Sequence, residues 1–181
     1  MISGSIARRY AKALLSIGVD QNSYEALGTE LGRMASLMES SSELATALVS
    51  PVFPHSQRRA ILRDILGRLG ATKMFENFVL LLVDHNRIGA LGSIAREYAT
   101  LADAQAGRVR ARVTSARALG ESEATRIKVA LEKRTGKKVI MERREDPAML
   151  GGLTVQIGDV VYDGSVRNQL ATIKEQLLAA D

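Results

Sequence analysis

The residue types best suited to chemistry in this chain gather between Asp146 and Leu170, in the stretch DPAMLGGLTVQIGDVVYDGSVRNQL. Glycines set among aspartates can cradle a phosphate or ligate a cation. The spacing argues against both. Asp159 and Asp163 lack the D-x-D-x-D-G ladder of a calcium loop, and Gly164-Ser165 lacks the G-x-S-x-G elbow of a nucleophilic serine. The Gly136-Lys137 pair is followed by Lys138 and has Leu131 where a phosphate-binding loop needs its first glycine. His55 and His85 lie on separate elements, and the chain has no cysteine to complete a ligand set. The expectation is therefore no catalytic residue, no cofactor and no metal site, with the aspartates serving as turn residues.

Two other features could bind rather than react. Gly67-Arg68-Leu69-Gly70 and Gly89-Ala90-Leu91-Gly92 match the G-x-x-G loop that clamps RNA backbone, but both have helical flanks, where glycine is a helix terminator. Arg108, Arg110 and Arg112 alternate along a strand pattern and could track phosphates. The alternative is the wet face of an edge strand blunted by charge. Net charge is +5, and residues 106–181 carry 14 basic and 10 acidic side chains against 11 and 10 in residues 1–105. That mild excess keeps an RNA-binding α/β module open as an alternative.

The elements that must position these residues follow from periodicity. Apolar residues recur at helical spacing from Ser5 to Ile17, and again at Tyr24, Leu27, Leu31, Met34 and Met38. Ser40-Ser41-Ser42 breaks the second helix, and a short third one runs from Glu43 to Val49, ending at Ser50-Pro51, where the residue before proline leaves the helical region. Pro51 and Pro54 bracket a loop. A fourth helix from His55 places Ala60, Ile61, Ile65, Leu66 and Leu69 on one side and closes at Gly67 and Gly70. Thr72 to His85 is apolar nearly all round, as a helix buried by neighbours or a partner would be. The sixth helix, Ile88 to Gln105, buries Leu91, Ile94, Tyr98 and Leu101. Short connections and the absence of a strand pattern predict an antiparallel six-helix bundle over residues 1–105.

At Gly107 the period changes to two, with Val109, Ala111 and Val113 opposing the arginines. A helix follows with Ala124, Ile127 and Leu131 on one face, ending at Gly136, and then a strand from Lys138 to Arg144. In the opening stretch, Leu153, Val155 and Ile157 alternate with Thr154 and Gln156, and Gly158-Asp159 makes a type II′ hairpin turn before Val160 to Tyr162. Ser165 caps a last helix carrying Val166, Leu170, Ile173 and Leu177. The second domain, residues 106–181, is thus a small β-α-β-β-β-α unit, and the whole chain is α+β.

The longest apolar run, Phe78 to Val83, falls far short of the roughly 20 residues that cross a bilayer. The absence of cysteine gives no sign of an oxidising compartment. The segment before Asp20, basic and free of acidic residues, reads as a transit peptide or as a core-facing helix built on Ile6, Tyr10, Leu14 and Ile17. With the fifth helix, the first offers apolar surface fit for a groove that accepts an amphipathic helix of another protein. Alternatively, all of these residues face the bundle core.

Four fragments, in order, resemble one family. Asp146, Met149, Gly151-Gly152, Gly158-Asp159, Asp163-Gly164-Ser165 and Leu170 look like the C-terminal signature of the delta subunit of bacterial rotary ATP synthases, the family of the mitochondrial oligomycin-sensitivity-conferring protein. Ala7-Arg8-Arg9-Tyr10-Ala11-Lys12-Ala13-Leu14, Asn86-Arg87 and Leu131 to Lys138 are similar to that family's other motifs. Glu145 departs from a usual aliphatic residue, and His85-Asn86 replaces a common Asn-Gly, although Asn86 can take a left-handed turn. Because the match begins at Ala7, little is left for a transit peptide, and a bacterial protein is expected.

The resemblance implies a non-catalytic stator without cofactor, at the cytoplasmic face of a bacterial inner membrane and touching the membrane only through its complex. It implies that the helical domain holds the N-terminal helix of an alpha subunit of the catalytic head in a groove between the first and fifth helices. By position, Tyr10, Ala13, Leu14, Ile17, Phe78, Val79 and Leu82 would line that groove. The smaller domain would hold the C-terminal end of the b stalk subunit, and nucleic acid would be no partner.

Overall fold

The computed structural model describes residues 4–50 and 52–178, with side chains as far as Thr172. Pro51 and the side chains of Ile173 and Leu177 lie outside the described residues. The chain divides into two compact units, Met1–Ala102 and Asp103–Asp181. Eight α-helices and a four-stranded sheet are present among the described residues.

The first unit contains α1 (Gly4–Asp20), α2 (Tyr24–Ser40), α3 (Ser42–Val49), α4 (His55–Arg68), α5 (Lys73–Asp84), a 3-10 turn over Ile88–Ala90, and most of α6 (Leu91–Gln105). One apolar core joins them, with Leu14, Leu31, Leu62, Val79, Ile94 and Tyr98 buried. Local polar bonds fix where helices begin. The Ser41 hydroxyl accepts from the Leu44 N–H at 3.2 Å and starts α3. Thr72 does the same for α5 by accepting from the Phe75 N–H at 3.4 Å. Thr72 also donates its own N–H and hydroxyl to the Glu30 carboxylate, each at 2.8 Å, which ties the start of α5 to α2.

The fourth and sixth helices differ from expectation. Alongside Leu62 and Leu66, α4 buries Arg58, while Ala60 and Leu69 are exposed and Gly67 lies inside the helix. Arg58 donates from Nη1 to Asn86 Oδ1 at 3.0 Å, so a neutral partner across the α5 exit lets its long stem pack inward. Asn86 itself adopts φ +53°, the left-handed turn expected of it. The helix expected from Ile88 opens instead as the 3-10 turn, with Ile88 and Ala90 buried, before α6 begins at Leu91.

The second unit contains β1 (Arg108–Ser115), α7 (Glu121–Thr135), β2 (Lys138–Glu145), β3 (Gly152–Ile157), β4 (Val160–Ser165) and α8 (Val166–Leu178). Strand order is β2-β1-β3-β4, with β1 parallel to β2 and the other pairs antiparallel. The reading of the arginine strand as a sheet edge is therefore corrected: β1 is an interior strand. Its alternation still holds, because Ala111 and Val113 pack with Leu131, Val139 and Val155 while Arg110 and Arg112 face the opposite side. α7 covers the apolar face. It starts where Glu123 accepts from the Gly120 N–H at 3.1 Å and ends at Gly136, φ +66°.

The β3–β4 hairpin pairs Ile157 with Val160 around a two-residue turn. Gly158 there has φ +57° while Asp159 does not take positive φ, the sign pattern of a type II′ turn. Ser165 then caps α8 by accepting from the Asn168 N–H at 3.3 Å. On this helix Val166 and Leu170 are 36% and 56% exposed.

Candidate functional site

The residues expected to line a helix-binding groove separate into two layers. Leu14, Val79 and Leu82 are buried in the core of the first unit. They support the surface from beneath and offer no area to a partner. Tyr10 and Phe78 are half-buried, and their rings meet edge to face with centroids 6.4 Å apart, which joins α1 to α5. Ala13 is exposed and Ile17 is 45% exposed. Along α1, positions 10, 13 and 17 follow helical spacing and make an outer stripe beside the buried Ala7, Ala11 and Leu14.

On α5, Leu81 stands one turn beyond Phe78 and is 43% exposed. Sequence reasoning placed Leu81 inside an apolar run without distinguishing it. The signal was present in the three-residue spacing from Phe78, but a helix apolar all round gives no sign of which side faces out. Together Tyr10, Ala13, Ile17, Phe78 and Leu81 form an apolar surface on two neighbouring helices.

The signature residues of the C-terminal stretch hold backbone. Asp146 accepts from the Ala148 N–H at 3.0 Å through Oδ1, and its own N–H donates to the Ser115 carbonyl at 2.9 Å, anchoring the loop that carries Met149. Asp163 Oδ1 accepts from the Ser165 N–H at 2.8 Å, and that bond holds its carboxyl below the ordinary aspartate range. Gly151 and Gly152 both take positive φ, and the Gly151 carbonyl accepts from the Val166 N–H at 3.1 Å. Gly164 sits opposite Leu153 in the hairpin. Asp159 is exposed in the β-turn, and Leu170 is exposed on α8.

His55 and the arginines of β1 have carboxylate neighbours. His55 Nε2 lies 3.4 Å from Asp84, which Arg59 engages at 2.8 Å. Among the described residues, no group of three or more His, Cys, Asp or Glu is arranged to hold a metal ion. On the β1 face, Arg110 bonds Asp103 and also lies 3.5 Å from Glu142, while Arg112 is 3.8 Å from Glu142. The Asp103 bond raises the Arg110 pKa above its ordinary value. Carboxylates thus interleave the stripe and take up the charge that a phosphate backbone would need.

A second apolar surface was not anticipated. Beside α7 lies a groove of about 720 Å³ whose lining includes Leu119, Ile127, Val129, Ala130 and Leu153. No single described helix is long and apolar enough to cross a membrane; Lys73–Asp84 and Ile88–Gln105 pass as a pair only with a bend of 116°. Their apolar residues Val79, Leu82, Ile94 and Tyr98 belong to the core of the first unit.

Comparison with known proteins gives these surfaces a context. The chain is similar to the ATP synthase subunit delta of Trichlorobacter lovleyi, 41% identical over 177 residues that cover 98% of each chain. It is 44% identical to that of an Anaeromyxobacter species, covering 98% of this chain and 99% of the relative. Its fold matches a chain in the cryo-EM composite model of the Toxoplasma gondii mitochondrial ATP synthase hexamer with a TM-score of 0.72, at 19% identity, covering 95% of this chain and 97% of the other. The family model described as ATP synthase delta (OSCP) subunit matches residues 6–177, and the chain belongs to that family.

Proposed function

We propose that the first unit grips the catalytic head through the outer face of α1 and α5, and that the second unit holds the b stalk. As a delta (OSCP) subunit the protein is a peripheral-stalk component of ATP synthase, structural rather than catalytic. In this reading the six helices act as one antiparallel bundle over residues 1–105. They present Tyr10, Ala13, Ile17, Phe78 and Leu81 to the N-terminal helix of an alpha subunit. Residues 106–181 take the C-terminal end of the b subunit, and the complex works at the cytoplasmic face of a bacterial inner membrane.

The observation that carries the head-binding surface is the exposure of Ile17 and Leu81 beside the Tyr10–Phe78 ring pair. Apolar side chains exposed in a row on two adjoining helices gain most when a third helix covers them. A part that resists rotation needs such broad contact rather than a reactive pocket.

The test is the affinity of the full chain for isolated catalytic head. Ile17→Asp puts a charge on the surface without entering the core, so helicity should be unchanged while head affinity falls at least about tenfold, near 1.4 kcal/mol. Tyr10→Asp should act in the same direction and also lose the ring contact. Wild-type head affinity in Ile17→Asp, with normal helicity, overturns this surface assignment.

A further inference from the structure

Both ends of α5 are tied to neighbouring helices by polar bonds, and the two ties differ in kind. At its start, Thr72 gives its N–H and hydroxyl to the Glu30 carboxylate of α2, each at 2.8 Å, so that donors meet an ionised acceptor. At its exit, three side chains of α4 reach across. Arg59 Nη1 donates to both oxygens of Asp84 at 2.8 Å, and His55 Nε2 lies 3.4 Å from the same carboxylate. Arg58 is the exception. It is 6% exposed, and its Nη1 donates to the neutral Asn86 Oδ1 at 3.0 Å. Among the described residues its Nε meets no acceptor and its guanidinium no carboxylate within ion-pair distance, in contrast to Arg59.

A guanidinium held out of water without a counter-charge is costly, and an apolar side chain of similar length would fill the same space without that penalty. The fold therefore gains little from Arg58 itself. What its bond does is fix Asn86, which turns the chain at φ +53°. That turn is bonded straight back onto the last turn of α5. The N–H groups of His85, Asn86 and Arg87 donate to the carbonyls of Leu81, Val83 and Leu82 at 3.1, 3.0 and 2.6 Å. Leu81 is 43% exposed, so the carbonyl that anchors the turn belongs to a residue of the proposed head surface.

We infer that Arg58 is a positioning residue for head binding, which acts through Asn86 to hold the last turn of α5 where Leu81 lines up with Phe78. The inference rests on the head-binding reading of α1 and α5 and adds a residue that itself touches no partner. Stability and affinity should separate at this position, as they would not at an ordinary core residue.

The experiment measures, on the full chain, affinity for isolated catalytic head, the urea unfolding midpoint and amide hydrogen exchange. Arg58→Met should keep the midpoint at or above that of the wild type. It should speed exchange at His85, Asn86 and Arg87 and lower head affinity about fivefold. Arg58→Lys, which can still donate to Asn86, should retain wild-type affinity. Asn86→Gly keeps the left-handed turn but loses the acceptor, and should reproduce the affinity loss of Arg58→Met.

Wild-type head affinity in a folded Arg58→Met chain, with affinity lost in Ile17→Asp, overturns the inference and leaves the head surface standing. Should Arg58→Met fail to fold, wild-type affinity in Asn86→Gly overturns it equally. An affinity loss that follows a fall in the urea midpoint in both variants makes Arg58 an ordinary core residue and also overturns it. Wild-type affinity in Ile17→Asp removes the surface, and the inference with it.

Discussion

Tyr98 is 1% exposed on α6, and its hydroxyl donates to the backbone carbonyl of Tyr24 at 2.7 Å, across 74 residues of sequence. Burial, reinforced by Tyr24, pushes its pKa up to about 12. The neutral phenol is the form the fold accepts. Because the folded value lies above the ordinary tyrosine value near 10, this contribution to stability is complete below about pH 10 and is lost as pH rises toward 12. Tyr98→Phe should cost about 1 kcal/mol near neutral pH, the net worth of one hydrogen bond. It should also remove Tyr98's share of the stability decline between pH 10 and 12, which urea titrations at several pH values would detect. An equal alkaline decline in both proteins would show that Tyr98 does not titrate with unfolding. The sequence marked Tyr98 as a core residue by its helical spacing. Its partner carbonyl was invisible there, because periodicity fixes the face of a helix and says nothing about which distant element that face meets.

At the scale of elements, the joint of β3, β4 and α8 explains why the signature glycines occur together. Gly152 has φ +80°, and a Cβ at that position would lie 2.3 Å from the Gly164 carbonyl oxygen and 2.9 Å from the Ser165 Cα. Register pairs Gly152 with Ser165, so the strand partner, rather than a local turn alone, forbids a side chain. Gly152→Ala combines backbone strain with a clash against backbone and should destabilise the second unit by at least about 2 kcal/mol. Hydrogen exchange would show β3 and β4 losing protection while helices of the first unit keep theirs. Unaltered exchange throughout would mean that the joint relaxes freely. The hairpin was legible because alternation and Gly158-Asp159 are local signals. Less legible were the interior position of β1, which depends on pairing with distant β3, and the burial of Arg58, where a charged residue occupies a core face through its bond to Asn86. The candidate site was half legible for a related reason. Apolar spacing found α1 and α5 but could not divide Leu14, Val79 and Leu82 beneath the surface from Ile17 and Leu81 on it.

For the whole molecule, the two proposed joints lie on separate units, the head contact of α1 and α5 in Met1–Ala102 and the stalk contact in Asp103–Asp181. A stator transmits torque through joints in series, so the weaker joint limits the load that the chain can resist. The binding losses should be independent, because the substituted positions share no partner. Ile17→Asp should change head affinity alone, and Gly152→Ala, by loosening the second unit, should change b affinity alone. Function should combine differently. In membrane vesicles carrying the assembled complex, each substitution should lower proton-driven ATP synthesis, while the double variant should fall little further than the worse single one. ATP hydrolysis by the detached head should persist, since the delta (OSCP) subunit is structural rather than catalytic. The measurement compares synthesis and hydrolysis in the four combinations. A double variant whose synthesis falls by the product of the two single losses would show that the joints act as parallel supports, and the series arrangement would have to be abandoned.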